Sequence, residues 1–193
     1  MKKANGTRKL VLLAMLTAIV VVLQFLGAFI RFGPFSISLV LLPIVVGAAL
    51  TDPLSGGWLG LVFGAVVLLS GDAAAFLAIS PLATVIIVIA KGALAGLAAG
   101  FVYKLLEKKN KLVAVVSAAV VAPVVNTGIF LLGCSTAFLP TIKDWAAHAG
   151  YESVGTFMFL GLVGGNFIFE FLVNVVLSPA IVRLIQYGQK QKA

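Results

Sequence analysis

Long uninterrupted apolar runs constrain this chain more than any other feature of its sequence. The run from Pro81 to Lys104 is long enough to cross a bilayer and carries one charge, Lys91, near its middle. Of the 193 residues, 62% are hydrophobic and 10% are charged. Lipid cannot satisfy backbone hydrogen bonds, so such a chain must form helices or a closed barrel, and runs without period-two alternation favour helices. We therefore expect an all-α integral membrane protein.

Six transmembrane helices are predicted, forming a single domain over residues 1–193. Thr51-Asp52-Pro53 and Gly56-Gly57 separate the second predicted helix from the third. These two segments are short, because about 20 residues are needed to span a bilayer comfortably. The predicted ranges are 9–30, 35–50, 55–70, 80–106, 111–133 and 156–187.

The basic residues predict the orientation of the chain. Of the 14 Lys and Arg residues, all but three precede the first helix, join the fourth to the fifth, or follow the sixth. Arg31 and Lys143 fall on the opposite side, and Lys91 lies inside a helix. By the positive-inside rule both termini face the cytoplasm, so the net charge of +8 reflects topology and not nucleic-acid binding. The first apolar run is too long for a cleavable signal peptide.

The outer loop 134–155 is expected to contain a short amphipathic helix that starts near Pro140-Thr141. Two interpretations stay open for it. It is a lid whose Trp145 and Tyr151 contact a ligand, or an interfacial helix with Trp145 as its membrane anchor. His148 on its own is more typical of a surface histidine, and Arg31 in the first outer loop is a further candidate contact.

Polar side chains at bilayer depth indicate a candidate binding site. Lys91 lies ten residues beyond Pro81, about 15 Å in at 1.5 Å per residue. A charge at that depth costs several kcal/mol unless it is paired or hydrated, which makes it a functional candidate. Asn126 and Thr127 on the fifth helix are predicted to reach a similar region.

The sixth predicted helix adds Asn166, Glu170 and Asn174 at i, i+4 and i+8, on one face of the helix. Two interpretations remain open for the whole group. Lys91 and Glu170 form a structural pair while the asparagines join helices, or the group forms a pocket in which Lys91 meets an anionic or carbonyl group of a polar solute. Gly92, Gly96 and Gly100, also spaced by four, predict close helix packing.

Several stretches carry a resemblance to a known family. Ala14 and Ala18 form an AxxxA pattern in the first helix, Gly33-Pro34-Phe35-Ser36-Ile37 enters the second, Asp52-Pro53 precedes a glycine-rich third, and 123–128 reads PVVNTG. Together with length and topology, they resemble the substrate-binding S component of energy-coupling factor (ECF) vitamin transporters, in particular the riboflavin and pantothenate branches. The resemblance covers most of the chain.

The resemblance implies a function and partners. The resemblance implies that the protein captures a vitamin from outside the cell membrane without a cofactor of its own. It also implies docking through Ala14 and Ala18 on a transmembrane partner that works with two ATPases. The family implies a bacterial source and a toppling motion in the bilayer. The chain has no phosphate-binding loop, so ATP is hydrolysed elsewhere and the chain itself is not an enzyme.

The sequence leaves the solute and two other functions open. The sixth helix lacks the NxxK arrangement associated with riboflavin-specific members, and Lys91 suits a carboxylate, so pantothenate is preferred and riboflavin comes next. One alternative is an autonomous carrier or channel. The other, a lipid-modifying enzyme, needs clustered carboxylates, a metal or a Ser/His pair, whereas Asp72, Asp144 and Glu152 are scattered and no Cys/His cluster indicates a metal.

Overall fold

The computed structural model describes residues 6–29, 31–32, 35–36 and 39–190, and this part of the chain is a bundle of helices. The elements are α1 (Gly6–Gly27), β1 (Arg31–Phe32), β2 (Phe35–Ser36), α2 (Leu41–Leu50), α3 (Pro53–Leu69), α4 (Ala74–Leu77), α5 (Pro81–Leu106), α6 (Lys111–Thr136), α7 (Leu139–His148), α8 (Val154–Thr156), a π-helix (Phe157–Leu162) and α9 (Gly164–Lys190). Among the described residues, four helices are long and apolar enough to cross a membrane: α1, α5, α6 and the Gly164–Arg183 part of α9. The shorter apolar helices α2 and α3 have 10 and 17 residues.

The second predicted helix is shorter than expected. The prediction placed its start at residue 35, but the helix begins at Leu41, and β2 pairs with β1 in an antiparallel ladder. The segment from Phe35 to Ser38 alternates apolar and polar residues, which is the pattern of a strand and not of a helix. All of α2 except Leu42 is buried, because a helix that is apolar on every side packs into the centre of a bundle.

Helices α3 and α5 pack with their backbones in direct contact. A Cβ atom added to Gly60 would overlap the carbonyl oxygen of Gly92, and one added to Gly96 would overlap that of Gly56. Only glycine permits so close an approach, since any side chain would push the two helices apart. The packing role predicted for Gly92, Gly96 and Gly100 is therefore confirmed.

The sixth predicted helix is interrupted. The prediction treated residues 156–187 as continuous, but a π-helix ends at Leu162 and α9 starts at Gly164. In this wider turn the carbonyl oxygen of Phe159 would lie 2.6 Å from a Cβ at Gly164, so a glycine is needed there. The other predicted helices differ from the observed ones by three residues or fewer at each end.

Two apolar cores hold the bundle together. The larger involves α1, α2, α3, α5, α6 and α9, with Val20, Leu41 and Ile44 fully buried. The smaller core lies at the C-terminal end of α6, where α7 packs through Ile142 and Ala146. The amphipathic helix predicted within 134–155 is thus confirmed as α7.

Asp52 joins α1 to the start of α3. Its Oδ1 accepts a hydrogen bond from the Ser55 backbone N–H at 2.9 Å and caps α3, while Oδ2 accepts one from the Lys9 ammonium. Partial burial by itself would raise the pKa of Asp52, but the hydrogen bonds from Lys9 and Ser55 outweigh it and hold the pKa below its ordinary value.

We expect Gly60→Ala to destabilise the protein, because the new methyl group meets a backbone carbonyl that cannot rotate away. Overpacking of this kind costs about 1–3 kcal/mol. The measurement is the thermal midpoint in detergent. Gly128→Ala is the matched control, since nothing lies within 4 Å of a Cβ at that position. Equal midpoints for the two variants would contradict the close contact of α3 and α5.

We expect Asp52→Asn to lose the ion pair but keep the cap, because asparagine caps helices as well as aspartate does. At pH 7 the loss should stay below about 1 kcal/mol, since the Lys9 and Asp52 side chains are 42% and 29% exposed. Because the pKa of Asp52 is lower in the folded protein, its ionised carboxylate stabilises the fold above the unfolded pKa of about 3.9. That stability is lost as the pH falls through the folded pKa. The thermal midpoints of the unmodified protein and of Asp52→Asn should therefore converge below about pH 4. Asp52→Ala should cost about 1 kcal/mol more. A gap that widens in acid would refute the assignment.

Candidate functional site

A cavity of about 90 Å³ lies where the two apolar cores meet, between α1, α3, α4, α5, α6 and α9. A single water molecule needs only about 10–15 Å³ of such space, so the cavity has room for a small solute. Among the described residues, its polar lining comprises Gln24, Asp72, Thr84, Lys91, Asn126, Thr127, Asn166 and Glu170. Its aromatic lining consists of Phe63, Phe76, Phe130, Phe138 and Phe167.

Lys91, the charged residue near the middle of the apolar helix α5, lines this cavity. Its ammonium nitrogen lies 5.7 Å from the centroid of the Phe63 ring and 5.5 Å from that of Phe130. The face of an aromatic ring attracts a cation by about 0.5–2 kcal/mol, more when water is excluded. Asp72 and Glu170 are both near enough to act electrostatically on the same ammonium. The rings and carboxylates therefore share the stabilisation of this charge.

Asn126 and Asn166 bring amide groups into the cavity from α6 and α9. Their side chains are 6% and 8% exposed, and within the described part of the chain each Oδ1 has no hydrogen-bond partner. A buried acceptor without a partner costs about 1–3 kcal/mol unless water or a ligand supplies a donor. Together with Thr127, they give the cavity polar groups that a solute could satisfy.

The polar stripe on α9 divides into two parts with different positions. Asn166 and Glu170 line the cavity, whereas the fully buried Asn174 lies outside its lining. The Asn174 side chain donates to the backbone carbonyl of Glu170 at 2.7 Å, and Ser178 donates to that of Asn174 at 2.8 Å. The lower part of the stripe thus braces the helix that carries Glu170.

Gln24 and Asp72 are cavity residues that the sequence did not identify. Gln24, near the end of α1, donates from Nε2 to Asp72 Oδ2 at 2.6 Å and is only 1% exposed. An amide inside the apolar run of α1 is a usable sequence signal, because polar residues at such depth are costly. Asp72 lies in a turn that only the fold brings beside α1.

Trp145 and Tyr151, two further predicted contacts, are not among the described residues that line the cavity. Trp145 on α7 packs edge-on against Phe76, with centroids 5.5 Å apart, and Tyr151 packs against Phe157 at 5.4 Å. His148 is exposed, and its Nδ1 lies 2.7 Å from the backbone oxygen of Asp144. The side chain of Arg31 lies outside the described residues. Trp145 therefore contacts a residue of the cavity lining, Phe76, without being one of the described lining residues itself.

Comparison with known families identifies the family of this chain. A family model described as the ECF transporter, substrate-specific component, matches residues 8–185. The chain belongs to this family. Searches of curated proteins and of solved structures gave no match.

As an ECF substrate-specific component, the chain is a multi-pass membrane protein and a substrate-binding transporter subunit. Membership implies a small-molecule substrate and interaction with the transmembrane and ATPase subunits of the transporter. The resemblance drawn from the sequence is thereby confirmed at the level of the family.

The contact between Lys91 and Phe130 predicts a measurable coupling. In a double-mutant cycle of Lys91→Met and Phe130→Leu, we expect about 1–2 kcal/mol of coupling, because each change removes the same cation–ring attraction. Thermal midpoints in detergent measure it. Phe159→Leu, at a residue 63% exposed on the π-helix, is the control and should show no coupling to Lys91→Met. Equal coupling for both phenylalanines would contradict the contact.

Proposed function

We propose that this S component captures a water-soluble vitamin from outside the cell and delivers it to a transmembrane partner driven by two ATPases. The family match over residues 8–185 carries the proposal. The cavity supports it, because it combines aromatic walls with buried amide oxygens that lack partners in the described part of the chain. Binding sites for small solutes are typically apolar with a few placed polar groups.

We further propose that the chain crosses the cell membrane of a bacterium six times, with both termini in the cytoplasm. The second crossing would be the shortest, since the ten helical residues of α2 reach only about 15 Å. The distribution of basic residues supports this orientation. The pairing of Lys9 with Asp52 at one end of α1 and of Gln24 with Asp72 towards the other supports opposite membrane sides for these two aspartates.

Helix α1 is the proposed docking surface for the transmembrane partner. Ala14 and Ala18 are exposed, whereas Leu16, Val20 and Gln24 form the buried face of the helix. Small residues four apart let a second helix approach closely. The alanines thus point away from the bundle, where a partner helix can reach them.

Purified alone in detergent, the protein is expected to bind one vitamin with a Kd of about 1 μM or tighter, about 8 kcal/mol of binding free energy. Calorimetry with a panel of vitamins measures this. Ala14→Trp and Ala18→Trp should change that Kd less than about twofold, since Gln24 and the cavity lie on the buried side of α1. Both variants should abolish co-purification with the partner subunits and vitamin uptake.

Val176→Trp is the control, because Val176 is a 71% exposed residue on α9, away from α1. It should bind, assemble and transport like the unmodified protein. Uptake that survives both alanine substitutions would remove α1 from the docking surface. Ion flux through the protein alone in liposomes, without vitamin binding, would instead support the autonomous channel.

A further inference from the structure

Gln24 and Thr84 are two cavity residues whose side-chain oxygens can act only as hydrogen-bond acceptors. The Nε2 of Gln24 donates to Oδ2 of Asp72 at 2.6 Å, which orients the amide and leaves its Oε1 as an acceptor. The Thr84 hydroxyl carries one hydrogen, and it donates that hydrogen to the backbone carbonyl of Ser80 at 2.8 Å. Its Oγ1 can therefore accept a hydrogen bond from the cavity but has no hydrogen left to donate.

Asn126 and Asn166 line the same cavity and bring the number of acceptor oxygens to four. The side-chain oxygens of Gln24, Asn126 and Asn166 are buried, and none has a hydrogen-bond partner within the described part of the chain. All four side chains are less than a tenth exposed. Because buried polar groups are normally hydrogen-bonded, these oxygens require donors from whatever occupies the cavity.

Lys91 restricts the kind of donor that suits this lining. Its ammonium only donates hydrogen bonds, and it lies over the rings of Phe63 and Phe130 beside the acceptor oxygens. A hydroxyl group both donates and accepts, so hydroxyls can donate to the four oxygens and also accept from Lys91. A carboxylate or a keto oxygen has no hydrogen to give. A hydroxylated solute therefore matches the lining better than one whose buried part only accepts.

We propose that the solute of this S component is a polyol or a hydroxylated amide. Its O–H and N–H groups donate hydrogen bonds to Oε1 of Gln24, to Oγ1 of Thr84 and to at least one of the two asparagine oxygens. This inference rests on the proposed function and concerns the same cavity. It implies that the hydroxylated end of the solute, and not a carboxylate, binds among the four acceptor oxygens.

Calorimetry on the purified full chain in detergent at pH 7 tests the proposal with pairs of solutes. Pantothenate, riboflavin and pyridoxine each carry three or more O–H and N–H donors. Their matched analogues without the alcohol groups are N-(3,3-dimethylbutanoyl)-β-alanine, lumiflavin and 3-hydroxy-2-methylpyridine. We expect one of the three vitamins to bind with a Kd of about 1 μM or tighter, and its analogue to bind at least 100-fold more weakly, because the analogue leaves buried acceptors unpaired.

The same titrations include thiamine, biotin, nicotinate and lipoate. A difference of less than 100-fold between the bound vitamin and its analogue would overturn the donor assignment and leave vitamin capture intact. Tight binding of one of these four, with none of the hydroxylated vitamins bound, would have the same consequence. Failure of all seven to bind would overturn both proposals.

Threonine-to-valine substitutions provide a second measurement. Thr84→Val keeps the shape of the side chain but removes its oxygen, so it should weaken binding of the hydroxylated vitamin tenfold or more. Thr136→Val is the matched control and should change binding less than twofold. Thr136 also donates to the carbonyl four residues earlier, that of Leu132 at 2.7 Å, but it is exposed and is not among the described lining residues.

The analogue separates a lost hydrogen bond from a change in packing. It has no hydroxyl to donate, so the unmodified protein and Thr84→Val should bind it within about threefold of each other. Thermal midpoints establish that the variant is folded. Unchanged vitamin binding in folded Thr84→Val, or an equal loss for vitamin and analogue, would refute the proposal. The pairs of solutes decide it even if Thr84→Val unfolds.

Discussion

The contact between the backbones of α3 and α5 is the constraint on which the cavity depends. At Gly60 and Gly92 the two helices touch without side chains between them, so neighbouring side chains are displaced to either side of the contact. Phe63 lies one turn beyond Gly60, and Lys91 directly precedes Gly92. The close approach therefore sets the ring and the ammonium at a separation where they attract. A looser pair of helices would leave the lysine without this partner.

The position of Lys91 between two cores explains how a charge persists in so apolar a chain. A buried ion loses several kcal/mol of hydration, and rings, carboxylates and the open volume of the cavity each offset part of that loss. The amides of Asn126 and Asn166 keep the surroundings polar. In the free protein the buried amide oxygens therefore lack hydrogen-bond partners within the described part of the chain. Binding sites commonly sacrifice stability in this way, because their polar groups must be able to bind a solute in place of water.

Much of the site could be predicted because it follows from helical periodicity. Lys91, Asn126, Asn166 and Glu170 converge since each lies on an apolar helix with few other polar side chains. What could not be predicted depends on long-range contact or on local backbone geometry. The pairing of Gln24 with Asp72 requires two segments 48 residues apart to meet, and the break before Gly164 requires one turn to widen.

Helix α1 contributes residues both to the outer surface of the bundle and to the cavity. Ala18 lies on its outward face. Six residues later, about 9 Å along the axis, Gln24 lines the cavity and donates a hydrogen bond to Asp72. A helix of this length is stiff, so a push at one end shifts the other by a comparable amount. A tilt of α1 against α3 would stretch or break the hydrogen bond between Gln24 and Asp72. This bond therefore couples the lipid-facing surface of α1 mechanically to the cavity.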